Sequence, residues 1–276
     1  MAYLEFNFTI VPLFPASEIV MAELGEIGFE SFVETENGLL AYIKKTDYGG
    51  IGFDGLHILK NPDVQIAWTI KELEQQNWNA VWEKNFEPIK VGGECLVRAP
   101  FHPAQHTKYD IVIEPKMSFG TGHHETTYMM IQTLLGLDLK GKSVLDMGCG
   151  TGVLAILSEK KGAMHIDAID IDRWCFLNSQ ENVERNHCRG IHIFEGDASL
   201  LGIKVYDVIL ANINRNILLD DIPKYSKCLH QKGTLVLSGF YEDDLSLISS
   251  RCETHGLTYH DHKVKNNWVA AVYRFS

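Results

Sequence analysis

The run Val144-Leu145-Asp146-Met147-Gly148-Cys149-Gly150-Thr151-Gly152 constrains this chain more than any other. Apolar residues suited to a buried strand lead straight into G-x-G-x-G, and a helical pattern comes next. Glycines at such a turn tolerate positive φ and let backbone come close to a ligand at a helix N-terminus. The surrounding pattern alternates. Predicted strands over Ser143–Met147, Ile166–Ile171, His192–Glu195, Asp207–Ala211 and Leu235–Ser238 are separated by predicted helices over Val153–Lys161, Arg173–Asn186, Asn216–Leu229 and Glu242–His255. Apolar strands that alternate with helices imply an α/β domain with a parallel sheet covered on both faces. Thr258–Val264 and Trp268–Phe275, joined by Asn266-Asn267, read as an antiparallel hairpin closing one end of that sheet.

Two acids give the glycine turn a chemical direction. Asp170 ends the next predicted strand, 22 residues after Gly148, where a carboxylate can accept both hydroxyls of a ribose. Asp146 stands just before the turn and can anchor an ammonium. A dinucleotide enzyme shows G-x-G-x-x-G; here the third glycine, Gly152, is displaced. Ribose acid, glycine turn (Gly148, Gly150, Gly152) and ammonium anchor together describe S-adenosylmethionine better than a nicotinamide. The plain alternative is an ordinary β–turn–α crossover.

The front of the chain reads differently. Tyr3 to Val11 alternates like a strand, and Ser17 is placed to cap a helix through Leu24 that Gly25 and Gly28 end. Phe29–Thr35 and Leu39–Lys45 read as a hairpin across Glu36-Asn37-Gly38, and Asp63–Glu74 as a helix. This order suits a small ferredoxin-like α+β domain over residues 1–76. Trp78, Trp82 and Phe86 recur at helical spacing, and Pro88 and Gly92-Gly93 punctuate the chain after them. Residues 77–94 therefore read as a linker with a helix, and 95–276 as the second domain. Such a stripe of aromatics is core packing more often than a ligand box.

The second part resembles the class I S-adenosylmethionine-dependent methyltransferases through Leu145–Gly152. A narrower resemblance runs through Pro115-Lys116-Met117-Ser118-Phe119-Gly120-Thr121-Gly122-His123-His124-Glu125-Thr126-Thr127, through Asn77-Trp78, Trp82 and Phe86, and through Ala211-Asn212-Ile213. On these residues the chain is similar to the bacterial methyltransferases of ribosomal large-subunit protein eleven. The resemblance implies a Rossmann-like, seven-stranded catalytic domain behind a small substrate-recognition domain. It implies that Thr127, Gly148, Asp170 and Asn212 contact S-adenosylmethionine, with Asp197 at the usual place of an adenine contact. It implies methyl transfer to lysine side-chain and N-terminal amines of a basic ribosomal protein. Asn212-Ile213-Asn214-Arg215 lacks the Asn-Pro-Pro-aromatic run of many amide and adenine methylating relatives, and Asn212 is the candidate for holding the acceptor nitrogen. Asn214 departs from the apolar residue expected there.

Charge and composition narrow the partners. Lys plus Arg number 25 and Asp plus Glu 36, for a net charge of −11, which disfavours a general nucleic-acid binder. Residues 1–94 hold 15 acidic and 6 basic side chains, so most of the excess lies in front. That excess is either a solvated surface or a docking field for a basic partner. The six cysteines show no C-x-x-C spacing, Cys149 has no base beside it in sequence, and adjacent His123 and His124 do not make a metal site. No signal peptide is evident, and no apolar run is long enough to span a bilayer, so a cytoplasmic protein is expected. Other readings are a methyltransferase acting on a small molecule or another protein, a non-catalytic module with the same pocket, and, more weakly, a nicotinamide enzyme.

Overall fold

In the computed structural model, residues 3–50, 52–73, 87–116 and 118–275 are described. The chain divides into two compact units, Met1–Asn85 and Phe86–Ser276.

The first unit is built on an antiparallel sheet. Its elements are β1 (Tyr3–Val11), α1 (Ala16–Glu26), β2 (Ser31–Thr35), β3 (Gly38–Lys44), the short α2 (Lys45–Tyr48) and β4 (Gln65–Leu73), and the strand order is β2-β3-β1-β4. That is the ferredoxin-like order. Leu4, Phe6, Phe8 and Ile10 alternate inward along β1 and pack with Val20 and Leu24 of α1. The β2–β3 hairpin turns over Glu36-Asn37, with Thr35 opposite Gly38. Gly38 is needed for proximity: a Cβ there would meet the Phe8 carbonyl oxygen at 1.9 Å.

Two expectations fail here. Asp63–Glu74 is not a helix; Gln65–Leu73 pairs with all nine residues of β1. This is an edge strand exposed along most of its length, so no alternation of burial marks it, and only the long-range ladder selects it. Short helical turns at Lys45–Tyr48, Phe53–Gly55 and His57–Lys60 stand where a second ferredoxin-type helix would run. Ser17 does not cap α1: the helix begins at Ala16 with Pro15 at the N-cap and no side-chain cap bond, which leaves Ser17 inside the first turn.

The second unit holds a three-stranded sheet, β5 (Ile89–Val91), β6 (Cys95–Arg98) and β7 (Tyr109–Val112), and a large sheet. The large one comprises β8 (Ser143–Met147), β9 (His165–Asp170), β10 (Ile191–Glu195), β11 (Tyr206–Asn212), β12 (Leu229–Tyr241), β13 (Leu257–Lys265) and β14 (Trp268–Phe275). The helices are α3 (Glu125–Gly136), α4 (Val153–Lys160), α5 (Arg173–Arg185), α6 (Arg215–Lys227) and α7 (Leu245–Glu253). The strand order is β10-β9-β8-β11-β12-β14-β13, with only β14 antiparallel to its neighbours. This is the Rossmann-like arrangement. One core covers each face, the first including Met130, Ile156 and Leu154, the second Leu218, Tyr225 and Ile248. The order reverses between β8 and β11, and beyond the carboxyl ends of such strands lies the crevice where α/β sheets bind ligands. Asn266 and Asn267, with φ of 48° and 65°, make the tight turn of the closing hairpin.

Of the proposed 77–94 linker, residues 77–86, with Trp78, Trp82 and Phe86, lie outside the described residues; Ile89–Val91 is a strand.

Candidate active site

A cavity of about 310 Å³ opens at that crevice, lined by the glycine turn, the ends of β9, β10 and β11, and the start of α6. Five of the eight site residues expected from sequence line it: Gly148, Gly150, Asp170, Asp197 and Asn212. Gly148 and Gly150 have φ of 70° and 55°. A Cβ on Gly150 would lie 2.2 Å from the Phe119 carbonyl oxygen, because the segment carrying Phe119 crosses over the turn. Thr151 fastens that crossing: its N–H donates to the Phe119 carbonyl at 2.9 Å and its hydroxyl to the Gly120 carbonyl at 2.7 Å. Gly152 does not line the cavity. It is the N-cap of α4, with φ of 79°, packed against Ser179.

Asp170 holds the same turn. Its carboxylate accepts the Gly150 N–H at 2.8 Å and the Asp172 N–H at 3.0 Å, so the acid that faces the cavity is oriented by backbone on both oxygens. Asp197, exposed on the far wall, accepts the Ser199 N–H at 2.8 Å. The Ser199 hydroxyl and amide hold its carboxyl below the usual range.

Asp146 sits beneath the turn and is not among the cavity-lining residues. It is buried, and Oδ2 accepts the Ala155 N–H at 3.0 Å, which caps the first turn of α4. Burial pushes its carboxyl up to about 7, the nearby Asp170 charge adds to this, and the Ala155 N–H opposes both.

Asn212 ends β11. Its Nδ2 donates to Thr127 Oγ1 at 3.4 Å, while its Oδ1 is buried and has no hydrogen-bond partner. Thr127 itself is buried on α3, behind Asn212 rather than on the cavity wall. Asn214, which departs from the apolar residue expected there, caps α6 by accepting the Ile217 N–H at 3.2 Å.

The family-model comparison decides the kinship. The model described as Ribosomal protein L11 methyltransferase (PrmA) matches residues 26–276. The chain belongs to this family. A ribosomal protein L11 methyltransferase of Phocaeicola vulgatus is 50% identical over 98% of both chains, and one of Bacteroides fragilis is 48% identical over 98% of both. Among solved structures, a ribosomal protein L11 methylase of Lactobacillus delbrueckii superposes with a TM-score of 0.63 at 24% identity, covering 68% of this chain and 98% of the other. A methyltransferase of Pyrococcus furiosus gives 0.51 at 15% identity, covering 60% and 89%. Both show the shared fold.

Several lining residues are not among the site residues expected from sequence. Phe119, Ile171, Ile213 and Ile217 supply apolar lining, and Cys175 lines the same cavity. Phe119 and Ile213 stand inside the motifs and the others beside them, and only the folded turn shows which way they face. Gly239 is similar: a Cβ would meet the Ile213 carbonyl oxygen at 2.2 Å, so the bulge in β12 lets the segment after Asn212 pass close. His124 caps α3, its ring between Phe119 and Trp268 at 5.0 and 4.9 Å. Cys149 is buried, which raises its thiol well above its ordinary value and suits packing rather than nucleophilic attack. Among the described residues no His, Cys, Asp and Glu cluster is placed to hold a metal, and no helix is long and apolar enough to cross a membrane.

Proposed function

We propose that this chain transfers methyl groups from S-adenosylmethionine to lysine side-chain and N-terminal amines of ribosomal large-subunit protein eleven, the substrate named for its relatives. The observation that carries the amine is Asn212 Oδ1. A buried acceptor without a donor costs about 1–3 kcal/mol. Here it sits on a residue that lines the cavity, so a turn of the side chain brings Oδ1 to the cavity, where an incoming amine N–H is the group it lacks.

The donor fits the residues present. Asp170, held open by two backbone N–H groups, is assigned the ribose hydroxyls; Asp197 and Ala198 border the adenine side; Gly148 and Gly150 bring backbone to the methionine portion. When bound, the donor supplies an electrophilic methyl whose C–S bond breaks as the N–C bond forms. The chain's own work is to place the acceptor. Releasing a proton from a lysine ammonium at pH 7 costs roughly 4.6 kcal/mol, and from an α-ammonium only about 1 kcal/mol. The apolar lining of Phe119, Ile213 and Ile217 favours the neutral amine by desolvation, and Asn212 Oδ1 fixes its orientation by accepting one N–H. Thr127 holds the Asn212 amide so that Oδ1, not Nδ2, is left for the amine.

We place this reaction in the cytoplasm, where six free cysteines are stable as thiols. The acidic first unit is the docking partner of the basic substrate. The test is incubation with labelled S-adenosylmethionine and purified large-subunit proteins. Label on protein eleven is expected; label absent from it, with the donor bound, would overturn the reading.

A further inference from the structure

A ladder of asparagines ties α5 to the segment that leads into the site. Asn186 Oδ1 accepts the Val112 N–H at 2.9 Å, and its Nδ2 donates to the Val112 carbonyl at 2.6 Å. One helical turn back, Asn182 Oδ1 accepts the Glu114 N–H at 2.9 Å. The chain leaves β7 at Val112, and the spacing still matches, since four residues of helix advance about 6.0 Å and two extended residues about 6.6 Å. Ion pairs run beside the ladder, Arg185 with Glu114 and Lys116 with Glu181.

The next rung is missing. Asn178 is one further turn back and is 2% exposed, yet neither its Oδ1 nor its Nδ2 has a hydrogen-bond partner. The residue that continues the series 112, 114 is Lys116, already held at α5 through Glu181. Beyond the gap, Cys175 of α5 and Phe119 line the same cavity. An open position therefore follows the two made rungs, three residues before the Phe119 that lines the cavity.

We propose that Asn178 is a positioning residue for the methyl donor: it takes the Lys116 N–H on Oδ1, and the carbonyl on Nδ2, when the donor fills the cavity, and so seats Phe119 against it. The inference rests on the donor-binding reading of the cavity. Leaving two buried polar groups unpaired raises the free energy of the empty form. A ligand that favours the closed rung recovers that cost as affinity.

The test uses S-adenosylhomocysteine as probe. In the wild type, the Lys116 amide should exchange quickly without ligand and become protected with it. Asn178→Leu, which replaces an unpaired amide by an apolar side chain of the same size, should melt no lower than wild type when unliganded. It should bind the probe about 3- to 30-fold more weakly, the worth of one or two hydrogen bonds, and lose the Lys116 protection. A second pair is independent of how Asn178→Leu folds. Lys116→Pro and Lys116→Ala both lose the ion pair to Glu181, but only proline loses the N–H, so only proline should weaken binding. Equal affinity in Asn178→Leu and wild type, or Lys116 protection that ligand does not change, overturns the proposal. If wild type itself does not bind the probe, the donor-binding reading fails and this one with it.

Discussion

Asn212 and Thr127 face each other across β11 and α3, Nδ2 to Oγ1 at 3.4 Å, and the carbonyl oxygen of the same Asn212 amide is left without a partner. The pairing selects which end of the amide is offered. A threonine hydroxyl can serve as donor or acceptor, but with Nδ2 beside it the acceptor role is used, and Oδ1 is left unpaired, the acceptor that the proposed amine would use.

Asn212→Ala should therefore lower methyl transfer more than donor binding. With one orienting hydrogen bond gone, kcat should fall roughly 10- to 100-fold, on the scale of a lost transition-state contact, while the dissociation constant for S-adenosylhomocysteine changes a few-fold at most. Calorimetry alongside single-turnover kinetics separates the two. Equal losses would confine Asn212 to the donor. Thr127→Val should give a milder version of the same split.

Gly150→Ala tests the crossing over the turn. The added Cβ would stand 2.2 Å from the backbone oxygen of Phe119, in a residue whose φ of +55° already disfavours a side chain. No flexible side chain can move aside, so the segment at Phe119 must shift and the Thr151-to-Phe119 bond must break. Destabilisation of about 2 kcal/mol or more is expected in urea denaturation, with donor binding lost at least ~10-fold. A variant that binds the donor normally would show the crossing to be dispensable.

Asp146 makes a prediction about pH. Its carboxyl is raised from 3.8 to about 7 by burial, so ionising it in the folded state costs free energy that the unfolded chain does not bear. The stabilising contribution is present below about pH 4 and is lost as pH climbs through about 7, a span worth up to about 4 kcal/mol. Asn at this position can still accept the Ala155 N–H but carries no charge. Asp146→Asn should thus raise stability at pH 7.5 and flatten its slope between pH 4 and 7, measured on the unliganded protein. An unchanged slope would refute the burial argument.

These residues also show what a sequence discloses. Ser143–Met147 is legible to the residue, since a strand buried on both faces, a glycine turn and an amphipathic helix are all local signals. Gln65–Leu73 is not, because an exposed edge strand is selected by a partner roughly 60 residues away. Cys95–Arg98 and Tyr109–Val112 are strands of four residues, too short to show a period, and the backbone at and after the second is held partly by asparagines of α5. Asp170 and Asn212 could be named from motif position, whereas the direction of the Asp146 carboxylate and the gap at Asn178 exist only once α4 and α5 have packed.

The charge at the front of the chain can be tested with salt. Residues 1–94 carry 15 acidic against 6 basic side chains, a net of −9, while the remaining 182 residues carry only −2 of the total. If that field docks a basic ribosomal protein, its contribution is long-range and screened, with a Debye length falling from about 30 Å at 0.01 M salt to about 8 Å at 0.15 M. On the proposed reading the donor is held instead by short contacts in a cavity, which salt scarcely screens. Raising ionic strength from about 0.01 to about 0.3 M should therefore raise the KM for the protein substrate several-fold, mainly through a slower association rate, and leave the dissociation constant for S-adenosylhomocysteine nearly flat. Replacing Glu34 and Glu36, both in the exposed β2 hairpin region, by Gln should reduce that salt slope without touching donor affinity. A KM for the protein substrate that ignores salt would assign the acidic surface to solvation alone.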